Sequence, residues 1–179
     1  DNATARDEIL GRVSRGVARP DFAARRAAAE ATLAAPTRGP QPHMAADTAA
    51  LRARFSDKAT ALASSVESVA TLAEAPAAVA RYLESHGLAK QAVATADVGV
   101  LDWAPAVISV AVRAAVDADT VGISGCFCAV AETGTLLLCS GAGTPATVSL
   151  LPEMNIALVP VARLVATMED AFAMVRTEL

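Results

Sequence analysis

The residues best equipped for chemistry lie between Gly122 and Thr135, in the run Gly-Ile-Ser-Gly-Cys-Phe-Cys-Ala-Val-Ala-Glu-Thr-Gly-Thr. Gly122, Gly125 and Gly134 permit sharp turns or close approach of the backbone to a ligand. Between and beside them Ser124, Cys126, Cys128, Glu132, Thr133 and Thr135 can bond or react. Glu132 is the only carboxylate between Asp119 and Glu153. In an apolar site its pKa would rise, which makes it a candidate general acid, base or carboxylate nucleophile; on an exposed turn it would simply be solvated. Both readings stay open. So do two readings of the whole run. Polar groups between two apolar strands often mark a strand end where open α/β sheets bind ligands. A tight hairpin over Glu132–Thr135, its side chains satisfying turn backbone, fits the spacing slightly better.

Cys126, Cys128 and Cys139 offer three thiols. Structural zinc and iron–sulfur clusters want four ligands in recognised spacings, and His43 and His86 are distant in sequence. No metal or cofactor site is therefore read here, and the cysteines are read as core residues. Cys126 as a nucleophile needs a base to lower its pKa, and no histidine or lysine stands near it in the chain. A second small-residue loop, Ser140-Gly-Ala-Gly-Thr-Pro145, offers the amides of Ser140, Gly141 and Gly143 as an anion nest, or is only a loop. Glu153 and Asn155 can complete a pocket if their strand end lies beside the first, or serve as surface turn residues. The spacing fits neither the dinucleotide fingerprint nor the P-loop.

These residues need elements to position them. Ile9, Leu10, Val13 and Val17 recur at helical spacing up to Pro20, and Phe22 to Ala35 reads as a second helix. Pro36 to Pro42, with three prolines and a glycine, reads as a linker. The expected organisation is an N-terminal helical arm and Pro-rich linker over 1–42 and an α/β domain over 43–179. Within the domain, helices are expected over Asp47–Ser64 and Ala77–His86. Strands are expected at Val66–Val69, Gln91–Thr95, Thr120–Ser124, Thr135–Cys139 and Ile156–Val161, the last as a run covered on both faces. Ile108–Val112 suits strand or helix. Thr167 can cap a last helix, with Asp170 closing a variant capping box. The alternation implies an open, mostly parallel sheet flanked by helices.

Composition narrows the function. At 54% apolar and 19% charged, the chain can build a core and is not disordered. Aromatics at 3% and a net charge of −4 argue against nucleic acid. The most apolar window, Val121 to Leu138, is interrupted by Glu132 and three glycines and does not span a membrane. No secretory signal is visible, and three cysteines do not make a disulfide framework, so a cytoplasmic setting is expected. A detached amphipathic arm must bury its face, which points to a homo-oligomer through residues 1–42.

The pieces Asp117-Ala-Asp-Thr-Val-Gly-Ile-Ser-Gly125, Ala129-Val-Ala-Glu-Thr-Gly-Thr-Leu-Leu137, Ser149-Leu-Leu-Pro-Glu153 and Ile156-Ala-Leu-Val-Pro160 resemble the LUD domain of lactate utilization proteins B and C. The short length, without ferredoxin-like cysteine motifs, is similar to the C type. The resemblance implies a fold like the sugar-phosphate isomerase and coenzyme A transferase superfamily. It implies an accessory or regulatory part in oxidising L-lactate to pyruvate, beside iron–sulfur partner proteins. The alternative is a stand-alone enzyme or ligand sensor acting on a small carboxylate, thioester or phosphorylated metabolite, an anionic ligand in each case. The family often has histidine where this chain has Asn155. It also usually continues past the last helix, so the C-terminal part of the domain is expected beyond Leu179.

Overall fold

The computed structural model describes residues 2–17, 21–36, 39–40, 43–44 and 47–179. Pro20 and most of the Pro36–Pro42 linker fall outside them. The chain divides into two compact units, Asp1–Pro42 and His43–Leu179. The first holds helices α1 (Asn2–Val17) and α2 (Phe22–Ala34). Its apolar residues Ile9, Leu10, Val13, Val17, Phe22 and Leu33 are all exposed.

The second unit begins with α3 (Thr48–Ala61), whose N-cap Asp47 accepts a hydrogen bond from the Ala50 amide at 2.8 Å. Helix α4 (Ala75–Ser85) carries Pro76 in its first turn, where a missing N–H costs nothing. It stops at Gly87, which takes φ +65°. Pro76, Val79, Ala80 and Leu83 recur on one face and are buried, the last three in the core shared with the sheet. Full burial of Leu83 alone contributes about 1.5–3 kcal/mol of transfer free energy.

That sheet is made of β1 (Gln91–Ala94), β2 (Ser109–Val112), β3 (Val121–Gly125) and β6 (Met154–Leu158), all parallel, in the order β2-β1-β3-β6. Short helix α5 (Ala96–Gly99) follows β1, and α6 (Thr147–Leu150) precedes β6. One face puts Ala92, Ala94, Val121 and Ile123 against α4, Trp103 and Ile108. The other buries Val93 with Ala115 and Val148. A smaller sheet, β5-β4-β7, joins β4 (Cys128–Val130) to β5 (Thr135–Leu137) as an antiparallel hairpin and to β7 (Leu164–Val165) in parallel. It packs on α7 (Met168–Glu178) through Cys128, Val130 and Ala171. Thr167 and Asp170 form a reciprocal capping box at the start of α7.

Two expectations change and one open choice is resolved. Residues 64–69 form neither strand nor helix; a four-residue run has no ladder without a neighbour, and Glu67 instead pairs with Arg81. The ambiguous run at 108–112 is a strand, because β1 supplies a parallel partner from Ser109 to Val112. The strand expected over Ile156–Val161 runs from Met154 to Leu158 and is an edge, so it is half-buried rather than covered on both faces.

Candidate functional site

Strand order gives the position where an open sheet of this kind would hold a ligand crevice. The chain steps outward from β1 to β2, then returns across β1 to β3 and on to β6. The order reverses between β1 and β3, and open α/β sheets bind ligands outside the carboxyl ends of the strands at such a reversal. Thr95 leaves β1 there, and Gly125 ends β3. The Thr95 amide donates to the Ile123 carbonyl at 3.1 Å, and the Gly125 amide donates to Thr95 Oγ1 at 3.3 Å. Asp97 lies in α5 with its carboxylate directly against the Gly125 Cα; any Cβ at 125 would collide with Asp97 Oδ2. Glycine at 125 leaves that space to the Asp97 carboxylate, a side-chain end that a larger residue would have to push aside. Asp97 Oδ1 accepts from the Val98 amide at 3.1 Å.

The small-residue loop reaches the same place. The Ala96 amide donates to the Gly143 carbonyl at 2.8 Å. Gly141 and Thr144 exchange backbone hydrogen bonds of 3.1 and 3.2 Å, and Thr144 Oγ1 donates to the Cys139 carbonyl at 2.8 Å. Ser140 and Gly141 stay exposed beside this closed turn. Two of its amides are thus used within the turn, and it is a carbonyl that meets α5.

Ser124 is 1% exposed and donates to Asn155 Oδ1 at 3.3 Å, joining β3 to the exposed face of edge strand β6. Gly122 sits opposite Asn155 in the register and lies beneath the Val148 carbonyl of α6, with no room for a Cβ. Its lack of a side chain serves the crossing of α6.

Glu132, Thr133, Gly134 and Thr135 stand apart from that cluster, in and beside the turn of the β4–β5 hairpin. The Gly134 amide donates to the Val130 carbonyl at 2.9 Å, and Gly134 takes φ +74°. A Cβ there would also stand 2.7 Å from the Ala59 nitrogen, because the end of α3 packs onto the turn. The Glu132 amide donates to the Ala166 carbonyl at 3.0 Å, and Thr133 Oγ1 donates to Thr135 Oγ1 at 2.9 Å. Among the described residues no hydrogen bond ties this turn to Thr95, Asp97, Ser124 or Asn155. The run from Gly122 to Thr135 is therefore divided between two sheets.

All three cysteines are free; Cys128 is wholly buried, Cys126 and Cys139 half-buried. Burial, reinforced by the neighbouring Cys128, pushes the Cys126 thiol up to about 11 against a weaker opposing pull from Arg163. Burial raises Cys128 as well. Arg163 donates to the Phe127 carbonyl at 2.6 Å, lies over the Phe127 ring at 4.6 Å and forks onto Glu178 at 3.0 and 2.9 Å. Its charge is engaged. Near neutral pH Cys126 is a thiol, without the activation a nucleophile needs. Among the described residues no group of three His, Cys, Asp or Glu side chains is arranged to hold a metal ion.

Sequence reasoning passed over Thr95 and Asp97. The signal was a Thr-Ala-Asp step directly after an apolar strand, and it becomes meaningful only once the strand order is known. Two concave surfaces lie elsewhere, one of about 550 Å³ lined by Gly16, Val17, Phe22, Arg25 and Arg26, the other of about 270 Å³ on α3. Both are open to solvent, so the strand-end geometry is the better guide to a site.

The four-stranded parallel sheet, its flanking helices and its strand-end crevice define an open-sheet α/β domain. The LUD domain pattern matches residues 52–179, and the chain belongs to the LUD domain family. The fold is similar to the crystal structure of a DUF162 family protein from Deinococcus radiodurans, with a TM-score of 0.61 and 22% identity over 74% of this chain and 82% of that one. No curated protein matches the sequence.

Proposed function

We propose that this chain is a cytoplasmic accessory component of L-lactate utilization, of the C type, working beside iron–sulfur partner proteins and binding a small metabolite where β1 and β3 end. The observation that supports the reading is LUD family membership over residues 52–179. Cys126, which follows the end of β3, does not favour covalent catalysis, because burial raises its thiol to about 11. The test is genetic. Deleting the gene is expected to stop or slow growth on L-lactate while growth on pyruvate stays normal, and the full chain restores it. Normal growth on L-lactate with unchanged partner activity would overturn the reading.

The second reading is an enzyme or sensor acting on a small carboxylate, thioester or phosphorylated metabolite, with Glu132 as the working carboxylate. The fixed backbone of the Glu132 turn, held by Ala166 and Val130, favours it. Glu132→Gln in a folded protein would then abolish turnover or ligand response; an intact response would remove Glu132 from the mechanism.

A further inference from the structure

The hollow on α3 gathers donors that the fold leaves unused. Ala49, Arg52, Ala53 and Ser56 fall at i, i+3, i+4 and i+7, so one face of the helix carries all four. The irregular segment over residues 64–69 brings Ser68 to that face, and the five residues line a hollow of about 270 Å³. Alanine at 49 and 53 leaves volume that longer side chains would fill. Among the described residues the Arg52 guanidinium has no ion pair or hydrogen bond, and neither the hydroxyls of Ser56 and Ser68 nor the Ser68 amide has a partner. The nearest carboxylates in the chain are committed elsewhere: Glu67 pairs with Arg81 of α4, and Asp47 accepts from the Ala50 amide. Helix α3 carries Arg52, Arg54 and Lys58 against the single carboxylate of Asp57, in a chain of net charge −4. A guanidinium forks onto two oxygens of an oxyanion. Hydroxyls and an amide on either side of it suit a third oxygen out of that plane, which a phosphoryl group has and a carboxylate lacks.

We propose that this hollow is a second ligand site, separate from the ends of β1 and β3, and that it binds a phosphoryl group: Arg52 forks onto two of its oxygens, while Ser56 and Ser68 donate to the third. The hollow is open to solvent, so the rest of an organic phosphate lies outside it and the phosphoryl group carries the recognition. The site stands independently of the strand-end crevice and of the pathway assignment.

Amide chemical shifts of the whole chain test it, in titrations with inorganic phosphate, glycerol 3-phosphate, glycerol, pyruvate and sodium chloride at matched ionic strength. Phosphate and glycerol 3-phosphate are expected to shift the amides of residues 49–56 and 68 saturably. Glycerol and chloride leave them in place, and pyruvate binds more weakly than phosphate. Tighter binding of glycerol 3-phosphate than of phosphate identifies an organic phosphate as the ligand; equal binding identifies the phosphoryl group alone. Arg52→Gln loses the charged fork and is expected to weaken phosphate binding at least about tenfold. Ala53→Leu keeps every donor but fills the hollow, and is expected to weaken it to a similar extent. Both positions are exposed and both new residues favour a helix, and an unchanged spectrum from the sheet core reports that each variant is folded. The proposal is wrong if phosphate and glycerol 3-phosphate leave those amides unmoved, or if chloride moves them as far. It is equally wrong if pyruvate binds as tightly as phosphate, or if either variant binds phosphate as the parent chain does.

Discussion

At the scale of single residues, Asp97 and Gly125 form one unit: the carboxylate takes the space that a side chain at 125 would fill. Cys126, next in the chain, is held as a thiol by burial, up to about 11. At pH 7 roughly one part in ten thousand is thiolate, so alkylation by iodoacetamide is expected to be slow. Its rate should climb about tenfold per pH unit from 7 to 10, read by tandem mass spectrometry at Cys126. A rate that levels off below pH 9 would show an activated thiol and restore Cys126 as a nucleophile. The stability consequence has a definite sign. The folded value lies above the ordinary value of 9.0, so the thiol's contribution is fully present below pH 9 and is lost as pH rises through about 11.

Among the elements, α6 and α7 each carry a contact that one substitution can test. The α7 box pairs the Asp170 amide with Thr167 Oγ1 at 3.3 Å and the Thr167 amide with Asp170 Oδ2 at 3.0 Å. Thr167→Ala is expected to cost about 1 kcal/mol, measured as a lower urea midpoint at unchanged slope. Gly122→Ala would drive a Cβ into the Val148 carbonyl, a backbone atom that cannot rotate away. A loss of roughly 1–3 kcal/mol is expected from overpacking, and a neutral effect would show that α6 is free to shift. The crossover from β2 to β3 lacks the helix usual in parallel connections. Arg113 closes it, forking onto Asp119 at 2.7 and 2.8 Å, and Ala115 plugs it onto Val93. The Arg113 guanidinium, with the Val116 amide, holds the Asp119 carboxyl below its ordinary range.

For the whole molecule, the two units make separate demands. The unit over His43–Leu179 has its own core, while the described apolar residues of α1 and α2 remain exposed. A chain lacking residues 1–42 is expected to melt within about 2 °C of the full chain, since the unit over His43–Leu179 holds its own core. If the arm makes the oligomer proposed from its amphipathic pattern, the same deletion lowers the mass in sedimentation equilibrium; an unchanged mass removes that role. No helix among the described residues is long and apolar enough to cross a membrane.

Local chemistry made part of this legible in sequence. Helical spacing marked α3, Thr167 as a cap marked α7, strand patterns marked β1 and β3, and the Ala-Glu-Thr-Gly-Thr run pointed to the LUD family, which the match over 52–179 shows. These signals are local because a cap or an apolar period acts within a few residues. Tertiary structure alone decided that Ser109–Val112 is a strand, that β6 is an edge, and that the Gly122–Thr135 run serves two sheets. It alone brought Asp97 onto Gly125. Pairing partners and strand order are set by contacts far apart in the chain, and the reversal between β1 and β3 is written in neither strand's own residues.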